Sequence, residues 1–307
     1  MRITQRVKKI LNNYTSDSPG TKASLARILG AGKLGGSGKT IILPVDQGFE
    51  HGPDLSFGMN ADAYDPTYHH KLAIDAGLSA YAAPLGMLEL TADSFAGEIP
   101  TILKINSANK LIHEDLPPTQ AITGSIQDAI HLGCAAIGYT IYPGSDDMYG
   151  MYEELRELAA EAKASGLAVV VWSYPRGNMS KQGETAIDTI AYGAHVAALL
   201  GGHIIKVKLP TDHVESKETK EIYTKQNISI KTLTDRVAHL RKCCFEGKRL
   251  VVFSGGGKKG DKEIMDEARA IRDGGGNGSI IGRNVFQRPR QDALALLKDM
   301  VNIYLGK

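Results

Sequence analysis

Apolar and polar positions along this 307-residue chain alternate in blocks rather than residue by residue. From Thr40 onward a short, nearly continuous apolar run is followed by a loop and then by a helix-like segment, and the unit repeats. The apolar runs are residues 41–45, 79–83, 101–105, 135–141, 167–172, 203–209, 250–253 and 279–281. Continuously apolar strands suit a parallel sheet covered on both faces, because its crossover helices lie over both sides. A doubly wound sheet would produce the same alternation. The count of eight selects an α/β fold of the (β/α)8 TIM-barrel type. Most connections are long enough for a crossover helix, the tightest being residues 84–100. Residues 1–30 read as one or two short helices ending at Gly30. The chain is therefore expected to be a single barrel domain over residues 1–307, with residues 1–39 as an N-terminal helical extension.

The sixth run breaks the pattern of a core strand. His203-Ile-Ile-Lys-Val-Lys-Leu209 carries two lysines, and side chains on a strand alternate between faces. Lys206 and Lys208 share one face with Ile204, while Ile205 and Val207 take the other. Lysine is rarely buried without a partner or a task. Held in low dielectric beside another cation, its amine loses the proton more easily and becomes a nucleophile. The bland alternative is a strand end from which both lysines reach water.

Barrel enzymes gather their chemistry at the C-terminal ends of the strands. Those ends carry Asp46, Gln47 and His51 after strand one, Lys104 and Asn106 after strand three, and Tyr142 after strand four. Trp172, Tyr174 and Arg176 follow strand five. Strands seven and eight end in Ser254-Gly-Gly-Gly257 and Gly282-Arg283-Asn284. Close-approach glycines beside a guanidinium suit a phosphate, which barrels often hold with these last two loops. Gly255, Gly257 and Gly260 also satisfy a dinucleotide-type Gly-x-Gly-x-x-Gly. Too little chain follows for a Rossmann unit, and Arg283 stands where an acid would hold a ribose. The glycine-rich stretch from Ala31 to Thr40 fails as a P-loop, because Lys33 occupies the place of its first glycine and the stretch precedes its strand.

Composition narrows the classes further. Basic and acidic residues nearly balance, 36 against 34, which implies no polyanionic partner. No apolar run approaches bilayer length, and the N-terminal residues lack the apolar core of a leader. Three cysteines cannot all pair, which suits a reducing cytoplasm. The histidines show neither His-Glu-x-x-His nor zinc spacing, and adjacent His69 and His70 would diverge on a helix, so no metal is expected. Cys243-Cys244 reads as structural, and residues 211–232 as a solvated loop and helix.

Taken together, Val45-Asp-Gln-Gly-Phe-Glu-His-Gly-Pro53, Tyr139-Thr-Ile-Tyr-Pro-Gly144, Trp172-Ser-Tyr-Pro-Arg-Gly177, Lys206-Val-Lys208, Ser254-Gly-Gly256 and Gly282-Arg-Asn284 resemble the archaeal-type class I fructose-bisphosphate aldolases, most closely their longer bacterial branch. The resemblance spans roughly residues 40–300, and it implies reversible Schiff-base cleavage of fructose 1,6-bisphosphate in glycolysis and gluconeogenesis, without cofactor. It implies Lys206 as the Schiff-base lysine, Tyr174 as general acid/base and Asp46 as an active-site carboxylate. Ser254, Gly255, Gly256, Gly282 and Arg283 become phosphate contacts, and Trp172, Arg176 and Lys208 join them as candidate substrate contacts. Nearby lysines are expected to tune the Tyr174 phenol. The expected partner is a sugar phosphate, with no nucleic acid and no membrane, acting on a cytoplasmic homo-oligomer. Transaldolase-like or thiolase-like chemistry on another phosphorylated ketose, and a nicotinamide-dependent oxidoreductase, remain as alternatives.

Overall fold

The computed structural model describes residues 3–113 and 115–307. Each of the eight apolar runs forms a strand: β1 (Thr40–Pro44), β2 (Ala80–Pro84), β3 (Thr101–Lys104), β4 (Ala136–Ile141), β5 (Ala168–Ser173), β6 (Ile204–Lys208), β7 (Leu250–Ser254) and β8 (Gly278–Ile280). Every neighbouring pair is parallel, and β8 pairs with β1 to close the barrel. Closure leaves the main sheet without an unpaired edge.

Alternation along each strand splits the core in two. On β6, Ile204 joins an interior column with Val170, Trp172 and Val252, whereas Ile205 and Val207 pack outward under the helices. The interior column continues into the N-terminal extension. Helix α1 (Gln5–Leu11) starts at Thr4, whose hydroxyl accepts from the Val7 N–H, and α2 (Pro19–Gly30) starts at Ser18 with proline in its first turn. Both are ordinary N-cap arrangements that satisfy otherwise orphaned amides. Val7, Leu11, Leu25, Ile28 and Leu29 from these helices belong to the same cluster as the barrel interior. Tyr14 donates to the carbonyl of His203 at 2.9 Å, and Ser24 donates to that of Gly166 at 2.8 Å, just before β6 and β5 respectively. The extension thus plugs the N-terminal mouth of the barrel and leaves the opposite mouth for chemistry.

The connections vary more than the strands. Residues 84–100 do contain a helix, Leu85–Thr91. Between β3 and β4 the chain inserts an antiparallel ladder of Asn106–Ser107 with Ala121–Ile122, then a short helix, Ile126–His131, begun by a Ser125/Asp128 capping box. Residues 211–232 carry the largely exposed helix Lys217–Lys225, anchored by the Tyr223 hydroxyl 3.0 Å from His239 Nε2. The glycine-rich stretch before β1 is a series of turns. His69 and His70 are core residues, packed on Phe57 and Phe286 and on Tyr81 and Phe95 respectively. Among the described residues, no three His, Cys, Asp or Glu side chains come together as a metal site.

Candidate active site

The upper barrel floor is Trp172, 1% exposed, whose ring fits because Gly138 on β4 has no side chain. A Cβ there would fall 2.6 Å from Trp172 Cζ3. Two buried amines stand over this ring, Lys206 Nζ at 5.0 Å from its centroid and Lys104 Nζ at 5.9 Å. Lys206 also lies 5.5 Å from the Tyr174 ring centroid. Burial pulls the Lys206 amine down to about 8, with Asp46 and Glu50 opposing and Arg283 assisting. Burial likewise pulls Lys104 to about 8, opposed by Asp46 and Glu50 and assisted by Lys206. The cation that acts on Lys206 is thus Arg283, and the one that acts on Lys104 is Lys206. Lys208 points the same way as Lys206 but pairs with Glu184 at 3.3 Å.

The loops after β1 and β5 form one wall. Glu50 meets Arg176 at 3.2 Å, and the Arg176 guanidinium lies over the Tyr142 ring, 4.7 Å from its centroid. Burial opposes ionisation of Glu50, but Arg176 and His51 outweigh it and hold the carboxyl below its ordinary value. Tyr174 is a correction to the expected lysine tuning. Burial first, then the charges of Asp46 and Glu50, push its phenol well above its ordinary value. Carboxylates dominate the electrostatics at that hydroxyl, so the resting phenol keeps its proton.

Opposite this wall lie the ends of β7 and β8. Buried Asn284 donates from Nδ2 to the Gly257 carbonyl at 2.8 Å, and its Oδ1 accepts from the Lys259 N–H at 2.9 Å. These bonds pin the 255–259 loop against the end of β8. Gly282 passes so close to β1 that a Cβ would lie 2.6 Å from the Pro44 carbonyl oxygen. Arg283 follows directly.

A cavity of about 360 Å³ joins the two sides. It is lined by Asp46, Glu50, Tyr174, Arg176, Lys206 and Lys208, and by Ser254, Gly255, Gly256, Gly282 and Arg283. All the candidate residues thus converge on one space except Trp172, which lies beneath it. Lys104 faces an adjoining niche of only about 20 Å³, which shares Asp46, Glu50 and Tyr174 with the cavity and is too small for a sugar phosphate. A larger hollow of about 1200 Å³ lies between the helices Ile187–Leu199, Lys217–Lys225 and Leu233–Cys243. It shares no residue with the barrel mouth, and its size reflects a shallow surface groove rather than convergent chemistry. The mouth itself combines a readily deprotonated amine, a protonated phenol, a carboxylate and an anion cradle. That set can form an imine with a phosphorylated ketone and move protons around it.

Glu50, Glu184 and Asn284 were given no role from sequence, and neither were Lys104 and Asn106. Lys104 carried the same signal as Lys206, a lysine inside an apolar run. The carboxylates sit in short helices after β1 and β5, where charged residues are unremarkable.

Comparison with known proteins adds independent findings. The family described as DeoC/LacD family aldolase matches residues 40–288. The class 1 fructose-bisphosphate aldolase of Thermoproteus tenax is 35% identical over 270 residues, covering 88% of this chain and 90% of its own. A solved archaeal fructose-1,6-bisphosphate aldolase, with its catalytic lysine covalently bound to the carbinolamine intermediate, superposes with a TM-score of 0.74 at 34% identity, covering 87% of this chain and 94% of the other. The fructose-bisphosphate aldolase of Slackia heliotrinireducens gives a TM-score of 0.80 at 26% identity, covering 95% and 89%.

Proposed function

The chain belongs to the DeoC/LacD aldolase family, and from that premise we propose that it is a class I aldolase. It cleaves fructose 1,6-bisphosphate reversibly into dihydroxyacetone phosphate and glyceraldehyde 3-phosphate through a Schiff base. One observation carries the residue assignment: Lys206 is a buried amine with a pKa pulled to about 8, opening into a cavity that ends in a glycine and arginine cradle.

Lys206 attacks the C2 ketone, and loss of water leaves an iminium that withdraws electrons as the C3–C4 bond breaks. Asp46, on the same cavity wall, assists proton transfer while the Schiff base forms. Tyr174 is the acid/base at the C4 oxygen. Its protonated resting state suits protonation of the alkoxide formed in the condensation direction. The cleavage direction requires the phenolate, and the iminium supplies the cause. In its protonated form the Schiff base is cationic, and its nitrogen stands about 5.5 Å from the centroid of the Tyr174 ring. A cation at that range favours the phenolate. Tyr174 therefore becomes a base once the substrate is bound covalently. Ser254, Gly255, Gly256, Gly282 and Arg283 hold one phosphate, while Arg176 and Lys208 contact the rest of the sugar phosphate. Trp172 acts from below by supporting Lys206.

Assembly as a homo-oligomer fits the exposed Tyr149 and Tyr192 that flank Tyr152. Among the described residues no helix is long and apolar enough to cross a membrane.

The test is borohydride reduction during turnover of fructose 1,6-bisphosphate, with the adduct located by peptide fragmentation. One reduced triose phosphate is expected on Lys206, in enzyme that stays active after EDTA dialysis. A label on Lys208 alone would move the nucleophile, and full activity with no label would rule out the Schiff base. Parallel assays with other phosphorylated ketoses separate this activity from transaldolase-like chemistry on the same barrel.

A further inference from the structure

The strand that presents Lys206 is gripped from below by the N-terminal extension. Resting on the Schiff-base reading above, we infer that Asp17 and His203 are positioning residues: they lock the extension to the root of β6, and so keep Lys206 in place and dry.

The barrel does not fill its own N-terminal end. Ala80, Ala136 and Ala168 are the first residues of β2, β4 and β5, and all three belong to the interior column. Barrel layers are normally filled by branched, bulky side chains. Here α1 and α2 supply that bulk, through Val7, Leu11, Leu25, Ile28 and Leu29. Without them water would stand beneath Val170 and Ile204, and Lys206 follows Ile204 on the same face of β6. Burial is the largest cause holding the Lys206 amine down at about 8. The charges acting on that amine, Asp46, Glu50 and Arg283, come from strand ends at the opposite mouth, with Lys104 and Tyr174 beside them. None belongs to the extension, so the extension acts on the amine by excluding water.

The lock lies in the loop between α1 and α2. The Val169 N–H, on β5, donates to His203 Nδ1 at 2.8 Å. A backbone N–H can only donate, so Nδ1 is bare and Nε2 carries the ring proton. That proton goes to Asp17 Oδ2 at 3.0 Å. One imidazole thus ties β5 and β6 to the extension in a single tautomer, and protonating it would break the Val169 bond. The His203 side chain is 1% exposed and that of Asp17 5%. Burial opposes ionisation of Asp17, but the bond from His203, with Lys163 at 3.7 Å and Arg249, holds the carboxyl below its ordinary value. Burial first, then Lys163 and Arg249, hold the His203 ring below its own ordinary value against Asp17, so it rests neutral at pH 7. Tyr14 completes the grip. Its hydroxyl donates to the His203 carbonyl at 2.9 Å, and the Arg249 guanidinium covers its ring at 4.9 Å from the centroid. Arg249 also donates to the Asn13 carbonyl at 3.4 Å. All these contacts meet at the root of β6, about 10 Å along the strand from Lys206. A displacement of about 1 Å in a reacting group can cost roughly a hundredfold in rate.

Two measurements test this. In unmodified enzyme at pH 7, the ¹⁵N spectrum should show His203 neutral with its proton on Nε2. A proton on Nδ1 would overturn the lock without any variant. Asp17→Ala leaves Nε2 without an acceptor, whereas Asp17→Asn keeps one. In Asp17→Ala the acid limb of kcat/KM, and that of borohydride labelling at Lys206, should rise by about 1 pH unit as water reaches the amine. Activity at pH 7 should fall about tenfold and recover in alkali. Asp17→Asn should keep the limb of the unmodified enzyme. A lower melting temperature in Asp17→Ala, with the limb unmoved, would reduce the pair to packing. Should Asp17→Ala fail to fold, Tyr14→Phe removes a single hydroxyl from the same grip. Its limb should move the same way by a smaller step, and an unmoved limb there would equally overturn the inference. Labelling of Lys206 in the unmodified enzyme reports on the aldolase reading separately, because it does not depend on what holds β6 from below.

Discussion

Asn284→Ala isolates the phosphate cradle from the rest of the site. Asn284 lines the cavity at its β8 end, and its side-chain hydrogen bonds go to the 255–259 loop. It makes two good bonds to the 255–259 loop, at 2.8 and 2.9 Å, from a side chain only 4% exposed. Each is worth about 1 kcal/mol net, so their loss removes roughly 2 kcal/mol that keeps the loop in place. The freed loop can hydrate its own backbone, so little of this should appear as global instability. The melting temperature should fall by no more than about 4 °C in a chain of this size. The substrate must instead re-order the loop on binding, and 2 kcal/mol corresponds to about a thirtyfold rise in KM. Once the ketose is seated, kcat should stay within a few fold, because Lys206, Tyr174 and Asp46 are untouched. A coupled assay reads both constants, following dihydroxyacetone phosphate from the bisphosphate and fructose 1-phosphate, and glyceraldehyde 3-phosphate from fructose 6-phosphate. Fructose 1-phosphate and fructose 6-phosphate supply the control, since each retains only one of the two phosphates. The monophosphate lacking the group gripped by this loop should be a poor substrate from the start and lose little more. An unchanged KM with a lowered melting temperature, or equal losses on both monophosphates, would refute the cradle.

Two further outcomes follow from the buried titrating groups. Tyr174→Phe keeps the ring over Lys206 but removes the proton carrier, so turnover should drop by ~10² to 10⁴ while borohydride still labels Lys206; undiminished turnover would leave Tyr174 a structural residue. His69 and His70 are both pulled by burial to about 4, so each is neutral in the fold yet takes up a proton in the unfolded chain near pH 6.5. Their folded values are depressed, the unfolded state binds more protons below pH 6.5, and stability therefore falls as pH falls from there toward 4. By pH 5 the loss is about 2 kcal/mol for each ring. Urea midpoints at pH 7 and pH 5 check this, and equal midpoints would show that the rings are not buried as described.

The barrel was legible because a parallel strand buried on both faces has to be apolar along its length. Eight such runs leave little freedom in counting them. Their ends were less legible. Residues 203–209 shorten to Ile204–Lys208, and 279–281 shift to Gly278–Ile280, because hydropathy does not mark where ladder bonds stop. The plug made by α1 and α2 was visible as helices but not as the floor of the interior column. That role depends on which end of the closed barrel they meet.

Within the site, residue types were more legible than the balance among them. Lys206 stood out as a lysine inside an apolar strand, and Lys104 in Thr101-Ile-Leu-Lys-Ile105 meets the same test. What separates the two is the space each one faces, about 360 Å³ against about 20 Å³. That is not a property of the strands read singly. The Tyr174 phenol shows the same gap in sign rather than location. Lysines are close by and suggested themselves as what tunes the phenol, yet burial and the charges of Asp46 and Glu50 act on it more strongly and raise it. Opposing charges of similar size cancel or prevail according to distances of a few ångströms. Those distances are fixed by loops after β1 and β5 that pair Glu50 with Arg176 and leave Asp46 facing the amines. A catalytic inventory can thus be read from strand ends. Which member rests protonated follows only once every carboxylate has been assigned its cation.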